Sequence, residues 1–268
     1  MYGGDDSPYH WNINATPQTG LHHHAHPLLA GKGLGGGSAI NYMFWTHASR
    51  RDIDNWGALG NPGWSWETLQ PYFTKSETFV KPSARQKSAL NLSFVEPSVH
   101  GYDGPIVNSF PSSSDSLQEA WPATFANLGL GVDGDPRGGQ ALGGYPHTFN
   151  IDPGTSQRSY PGSVYTSLAK SRPNLKVLTG ALVTKVLLET VDGIPTAVGV
   201  SYRVHGKPLK VKARKEVILS AGGLASPKLL ELSGIGNRKL LEKLGIKTMV
   251  DNPQVGENYQ NHIMVPLG

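Results

Sequence analysis

The chain has no cysteine among its 268 residues. This absence excludes disulfide bonds, thiolate metal ligands and a cysteine nucleophile within these residues. Long apolar runs are missing too, and no stretch approaches the ~20 residues of a transmembrane helix, so we expect no membrane partner. Glycine and proline are plentiful instead, with 33 and 20 residues, while hydrophobic residues make up 38% of the chain. This composition indicates a loop-rich globular protein.

The positive charge of the chain does not indicate nucleic-acid binding. The net charge is +4, and the densest basic stretch is 203–215. Within it, basic residues alternate with small apolar ones, which is typical of a strand with one solvated face. No aromatic residue interleaves there to stack on bases. We therefore expect no nucleic-acid partner.

Four histidines lie close together at His22, His23, His24 and His26. Neutral imidazole is a common ligand of divalent metals. No carboxylate lies nearby at a ligand-like spacing, and a polar loop accounts for the run. The sequence therefore predicts no metal site.

The segment 31–37 is the most informative part of the chain, because five of its seven residues are glycine. Glycine leaves backbone N–H groups bare and allows positive φ, so a ligand can lie against the main chain. The apolar residues that follow argue against a flexible linker. A G-x-G-x-x-G match is present, but no strand precedes it as a Rossmann unit requires. We predict a cofactor loop of another kind.

Periodicity and capping signals predict helices followed by a β-meander. The predicted helices are 39–44, 65–77, 116–130, 157–170, 226–233 and 239–244. The predicted meander strands are 175–188, 196–204 and 209–220. The run 216–223, which begins within the last strand, is expected to be buried and to end in small residues, which permit either tight packing on a helix or the close approach of a ligand.

Three motifs resemble signatures of the glucose-methanol-choline (GMC) oxidoreductase family. The first spans 31–54, the second spans 222–236, and the third spans 256–262. Gly223, Tyr259 and Asn261 are departures from the family pattern. The order of the motifs and their spread over nearly the whole chain identify it as similar to this family.

The resemblance implies an α/β fold with mixed helices and sheets. It implies a partial FAD-binding domain of the two-dinucleotide-binding type, with an inserted segment of a substrate domain. Residues 1–50 and 171–268 would belong to the FAD-binding domain, and 51–170 to the substrate side. It further implies an internal segment without the N-terminal GxGxxG unit and the C-terminal catalytic histidine region. We therefore predict no catalytic residue, and we expect the chain alone neither to hold FAD tightly nor to oxidise alcohols.

The resemblance also implies FAD as cofactor and a small-molecule alcohol as substrate, with hydride passing from a CH–OH group to the flavin. Val183 would contact the adenine end of FAD. The full set of residues implied to bind the cofactor is Gly35, Gly36, Gly37, Ser38, Asn41, Tyr42, Phe44, Trp45, Val183, Ala221 and Gly222. Two alternatives remain: a non-oxidising enzyme, such as a cyclase or lyase, with structural FAD, or an inactive chain that needs a partner to fold.

Overall fold

The structure, a computed structural model, describes residues 7–261 and combines helices with small sheets. The chain divides into two compact units, Met1–Arg172 and Pro173–Gly268. The mixture of helices and sheets confirms the predicted α/β class. None of the helices among the described residues is long and apolar enough to cross a membrane.

The first unit is built from short elements. Its helices are α1 (Arg50–Ala58), α2 (Trp66–Ser76), α3 (Ala84–Ala89), α4 (Ser116–Asn127) and α5 (Pro161–Ala169). Its strands are β1 (Ile13–Asn14), β2 (Pro27–Leu28), β3 (Phe44–Trp45), β4 (Glu77–Phe79), β5 (Ile106–Asn108), β6 (Thr148–Phe149), β7 (Ile151–Asp152) and β8 (Gln157–Arg158). They pair two at a time, β4 with β5 in parallel and the other pairs antiparallel.

Two helix predictions in the first unit are confirmed and two need correction. The side chain of Ser65 caps α2 as expected, because its hydroxyl accepts from the Thr68 backbone N–H at 3.3 Å. The prediction for α4 also holds. The helix predicted over 157–170 begins only at Pro161, which occupies the first turn, where a missing N–H costs nothing.

The predicted helix 39–44 does not form. A 3₁₀ turn, Gly36–Ala39, is followed by β3 instead. The Asn41 side chain accepts from the Met43 backbone N–H at 3.1 Å, and Met43 has a left-handed φ of 68°. A side chain that bonds the backbone locally competes with helical hydrogen bonds, and here it ends the helical path.

The second unit contains the predicted meander. Its strands are β9 (Ala181–Val191), β10 (Ile194–Val204) and β11 (Lys207–Lys212), in the order β11-β10-β9. Both connecting turns place two consecutive residues at positive φ, Asp192 with Gly193 and His205 with Gly206. Such turns match the twist of antiparallel strands. The first strand begins six residues later than predicted, at Ala181 instead of residue 175.

The remaining elements of the second unit are α6 (Gly222–Leu232), β12 (Ile235–Gly236), α7 (Arg238–Lys243) and β13 (Val250–Asp251). Buried Ser233 ties α6 to β9. Its hydroxyl donates to the Leu229 carbonyl at 2.5 Å and accepts from the Val186 backbone N–H at 2.8 Å. The helices predicted over 226–233 and 239–244 are therefore confirmed, with α6 beginning earlier.

The prediction that 216–220 is a buried strand is wrong. The third meander strand ends at Lys212, and 216–220 belongs to no sheet among the described residues. The side chain of Ile218 is 76% exposed. An apolar strand is buried only where neighbouring strands and a covering layer exist, and the described chain provides neither at this segment.

Candidate functional site

The glycine run folds into a tight loop in which two glycines are required by packing. Gly35 has a left-handed φ of 89°, and a Cβ atom there would lie 2.8 Å from the Tyr160 ring. A Cβ atom at Gly31 would lie 2.2 Å from the Gly36 carbonyl oxygen. Neither position accepts a side chain, which explains part of the glycine content without any ligand.

Gly36 and Gly37 face open space instead. A Cβ atom at either residue would have no atom within 4 Å outside its chain neighbours. Packing within the chain therefore does not require glycine at Gly37, where φ lies outside the left-handed region. An open main chain next to a tight turn is a surface that a phosphate or another cofactor group can approach closely.

An arginine that none of the sequence motifs predicts stabilises the loop through hydrogen bonds. The Arg158 guanidinium donates to the Ser38 carbonyl at 3.1 Å and to the Asn41 carbonyl at 2.9 Å. It also donates to the Asn41 side-chain oxygen. The Ser38 hydroxyl donates to the Gly35 carbonyl at 2.6 Å. The predicted residues Ser38 and Asn41 thus shape the loop through their own hydrogen bonds.

Two of the predicted aromatic residues lie at the surface. The exposed fraction is 48% for Tyr42 and 53% for Phe44. The Phe44 ring centroid lies 5.0 Å from that of Phe149 and 5.8 Å from that of His147. Burial, with the nearby Arg137 charge, lowers the pKa of His147 and keeps the imidazole neutral at pH 7. The surface around Phe44 is therefore aromatic, and its imidazole carries no charge.

Trp45 points away from this surface, toward the buried carboxylate of Glu77. Its indole N–H donates to Glu77 Oε2 at 2.7 Å. The same oxygen accepts from Asn108 at 2.9 Å and from Arg137 at 3.2 Å, while Oε1 accepts from the Gly101 backbone N–H at 3.0 Å. Burial alone would raise the pKa of Glu77, but its hydrogen-bond donors and the Arg137 charge lower it to about 2. Glu77 is a fully buried, fully bonded carboxylate.

His100 links Glu77 to a second buried carboxylate. Its Nε2 lies 2.9 Å from Asp135 Oδ2, and its Nδ1 lies 3.5 Å from Glu77 Oε1, a contact within ion-pair range. Burial opposes protonation, yet the contacts with Asp135 and Glu77 outweigh it and raise the pKa of His100. The ring also stacks on Phe79 at 3.8 Å. The two carboxylates thus favour the protonated form of His100 that lies between them.

Arg137 completes this cluster and joins it to β3. It donates to the Trp45 carbonyl at 2.7 Å and to the Thr148 hydroxyl at 2.7 Å. It also donates to His47 Nε2 at 2.9 Å, so this nitrogen acts as an acceptor. Burial and the Arg137 charge lower the pKa of His47 to about 3. A neutral His47 whose Nε2 is engaged by Arg137 is a structural residue.

We call Glu77, His100, Asp135 and Arg137 the buried charge cluster. It combines two carboxylates with a guanidinium and with an imidazole whose pKa the carboxylates raise. The sequence motifs do not reveal it, because its members are up to 60 residues apart in sequence. Close packing around Glu77 is visible only in the structure, where a Cβ atom at Gly104 would lie 2.2 Å from the Glu77 backbone nitrogen.

The other predicted cofactor residues lie in the second unit. Val183 is half-buried in β9 opposite Tyr202. Ala221 precedes α6, and Gly222 opens the helix at a φ of 89°, where a Cβ atom would meet nothing within 4 Å. The structure therefore describes two groups, one around the glycine loop and one at β9 and α6. His262 lies outside the described residues.

No group of three or more His, Asp or Glu among residues 7–261 is arranged to hold a metal ion. The histidines of 22–26 lie on an exposed loop.

Comparison with known proteins gives consistent matches over nearly the whole chain. The family model for GMC oxidoreductase matches residues 16–264. A dehydrogenase from Monascus ruber is 42% identical over 265 residues, which cover 97% of this chain and 42% of the relative. A glucose oxidase from Aspergillus carbonarius is 36% identical over 90% of this chain and 40% of its own length.

Solved structures show the same relationship. An FAD-dependent oxidoreductase from Chaetomium thermophilum matches with a TM-score of 0.85 and 38% identity, covering 94% of this chain and 45% of that chain. A fungal aryl-alcohol oxidase matches with a TM-score of 0.80 and 29% identity, covering 94% of this chain and 43% of its own. The chain thus spans less than half the length of these relatives. The fold expected from the three motifs is confirmed.

Proposed function

This chain belongs to the GMC oxidoreductase family, and from that membership we propose that it forms part of the FAD site of an enzyme that oxidises alcohols. FAD supplies the redox chemistry by accepting hydride from a CH–OH group. The chain contributes part of the surface that binds FAD and orients it. Relatives named as a glucose oxidase, a choline dehydrogenase and an aryl-alcohol oxidase support the reaction class.

The observation that carries this proposal is the open main chain at Gly36 and Gly37, where a Cβ atom would meet no other atom within 4 Å. The residues of this loop suit a flat, anionic cofactor. Ser38 and Asn41 fix the loop, while the Arg158 cation beside them favours an anion. Phe44 presents an apolar ring beside it. Gly35, Tyr42 and Trp45 belong to the same proposed site.

We extend the proposal to the second unit. Val183, Ala221 and Gly222 would meet the adenine side and the main body of FAD. Residues 1–50 and 171–268 would serve the cofactor, and 51–170 the substrate side. These assignments follow the sequence motifs, and a structure with FAD bound tests them.

We assign no catalytic residue to this chain. His47, the histidine of the first motif, is buried, neutral and bonded to Arg137, so it does not present a base to a substrate. We propose that the 268-residue chain by itself does not turn over alcohols. Several large apolar side chains of the second unit are exposed, which supports a need for further protein around this unit; they include Leu182, Ile194, Val211 and Ile218.

The experiment is Gly37→Leu in the full-length protein, with Gly20→Leu as control. Both glycines lie within 3₁₀ turns and face open space. Leucine at either position should therefore fold, but at Gly37 it would fill the space next to the main chain. We expect flavin content after purification to fall at least about tenfold in Gly37→Leu alone. Normal flavin content in this variant would overturn the proposed site.

Anaerobic spectra separate alcohol oxidation from the first alternative, and circular dichroism tests the second. An alcohol oxidase or dehydrogenase bleaches its flavin when primary alcohols are added. A non-oxidising enzyme with structural FAD keeps an oxidised spectrum throughout the same panel of alcohols. A chain that needs a partner to fold would show native-like circular dichroism only after that partner is added.

A further inference from the structure

A cleft of about 560 Å³ opens on the first unit, lined by residues of α3 and of the segment 91–102 together with the end of β4. Its volume lies within the range of about 300–1,000 Å³ that is typical of small-molecule sites. None of the residues predicted to bind the cofactor lines it. We call it the lysine cleft and define it by six of its lining residues: Phe79, Lys81, Lys87, Leu92, Val95 and Tyr102.

The floor of the lysine cleft is apolar and belongs to the hydrophobic core. Phe79 and Leu92 are buried, and together with Leu90 and Phe110 they form the core cluster of the first unit. Val95 is half-buried and packs against the same cluster. An apolar group that enters the cleft would therefore lie on core side chains and be removed from water, which favours binding.

Hydrogen bonds fix the walls of the cleft without any ligand. Helix α3 begins with a capping box formed by Ser83 and Gln86. The Gln86 side chain also donates to the Phe110 carbonyl at 3.2 Å, which ties the helix to the core. On the segment 91–102, the Tyr102 hydroxyl donates to the Pro97 carbonyl at 3.1 Å. Because these walls are already ordered, a ligand would not have to order them on binding.

Both charged residues that line the cleft are exposed lysines, Lys81 and Lys87. Neither forms an ion pair with a carboxylate of the described chain. The Lys81 ammonium lies 5.2 Å from the centroid of the Tyr102 ring, which attracts the cation without neutralising it. The Glu96 carboxylate lies instead beside Gly134, where a Cβ atom would be 3.5 Å from Oε1. Two unpaired positive charges next to an apolar floor favour an anionic head group and disfavour a cationic one.

We propose that the lysine cleft binds an amphipathic organic anion, of which medium-chain carboxylates are the simplest members. The apolar body of the ligand lies on Phe79, Leu92 and Val95, and its head group pairs with Lys81 and Lys87. A lysine ammonium acts as a point charge, so the cleft recognises the charge of the head group more than its shape. This site does not depend on the proposed oxidation, because none of its residues belongs to the site proposed for FAD.

The experiment measures binding of octanoate and of octanamide to the full-length, FAD-loaded protein by equilibrium dialysis. The two compounds share an eight-carbon chain and differ in charge, and neither has a CH–OH group to oxidise. We expect the Kd of octanoate to be at least about tenfold lower at low salt, since each exposed ion pair strengthens binding by up to about fivefold. The preference should shrink in about 1 M NaCl, because salt screens exposed charges. Equal Kd values for the two compounds at low salt would overturn the proposal.

Two sets of variants locate the ligand. The double variant Lys81→Gln, Lys87→Gln should abolish the preference for octanoate. The matched control, Lys75→Gln with Arg85→Gln, removes the same charge from exposed positions that do not line the cleft and should keep the preference. Ser88→Trp, at an exposed position of α3 that lines the cleft, should fill it and raise both Kd values at least about tenfold. An equal loss of preference in the control, or unchanged Kd values in Ser88→Trp, would show that the anion binds elsewhere.

Discussion

Phe44 and Trp45 are consecutive residues of β3, yet the two faces of this strand meet opposite surroundings. Successive side chains of a strand point to opposite sides. Phe44 points to an exposed aromatic surface that includes Phe149 and His147, where the imidazole is neutral. Trp45 points to the buried charge cluster and donates to a carboxylate with no exposed surface.

This arrangement inverts the usual distribution, in which charges lie outside and apolar rings lie inside. Buried charges and exposed apolar patches are the informative departures from that pattern. Arg137 donates to the main chain of Trp45, so the cluster fixes the strand from which Phe44 projects. We infer that the buried face of β3 fixes the position of the strand, and that its exposed face is available to bind a ligand.

The largest expected effect comes from breaking the buried face with Arg137→Met. Methionine has similar length but leaves Glu77 without its nearest guanidinium and two oxygen acceptors without their donor. Removing one partner of a buried ion pair costs about 3–5 kcal/mol. Urea unfolding followed by tryptophan fluorescence measures this, because all six tryptophans lie within residues 11–121 of the first unit.

Arg85→Met is the matched control, since Arg85 is exposed on α3 of the same unit. Surface changes of this kind usually alter stability by no more than about 0.5 kcal/mol. If Arg137→Met lowered the free energy of unfolding by as little as Arg85→Met does, the buried charge cluster would not stabilise β3.

A smaller effect is expected from the pH dependence of the cluster. The pKa of His100 is raised above its ordinary value of 6.5 by its two carboxylate contacts. Its stabilisation is therefore fully present below pH 6.5 and is lost as pH rises through the folded-state pKa. Glu77 affects stability at acid pH instead. Its pKa is lowered from the ordinary value of 4.5 to about 2, so its contribution to the free energy of unfolding is lost as the pH falls over that range. Protonation of His47 below its unfolded pKa adds to the loss in acid.

The measurement is the free energy of unfolding of wild type and of His100→Gln from about pH 6 to 9. His47 and His147, whose pKa values are lowered, add stability as pH rises from 6, but both proteins contain them, so the difference between the two proteins isolates the contribution of His100. We expect this difference to be largest at pH 6 and to shrink toward alkaline pH, whereas His26→Gln, at an exposed histidine, should follow the wild-type curve. A difference for His100→Gln that stays constant from about pH 6 to 9 would contradict the raised pKa of His100.

Local patterns in the sequence predicted the elements that local forces decide. The meander turns follow from Asp192-Gly193 and His205-Gly206, and α2 from its serine cap. The glycine loop was likewise visible from composition. The charge cluster was not, because His100 and Asp135 are 35 residues apart and no period connects them.

The segment 216–220 shows that an apolar pattern does not by itself predict burial. Its apolar residues match a buried strand, but the pattern specifies only what the side chains prefer. Burial needs partners supplied by other parts of the fold, and no strand of the described chain pairs with this segment. The exposed Ile218 is the physical consequence, and the predicted strand remains unpaired.

The smallest effect on stability is expected on the exposed face of β3, from Phe44→Leu. About half of the Phe44 side chain is already in solvent, and its ring contact with Phe149 contributes about 0.5–1.5 kcal/mol at most. We expect a loss of about 1 kcal/mol or less in urea unfolding. Trp45→Phe, one residue away, removes a donor from the buried carboxylate and should cost about 1.5–3 kcal/mol, as hydrogen bonds to charged groups do. If Phe44→Leu proved as costly as Trp45→Phe, Phe44 would be a core residue, and its exposed ring would no longer support a binding surface.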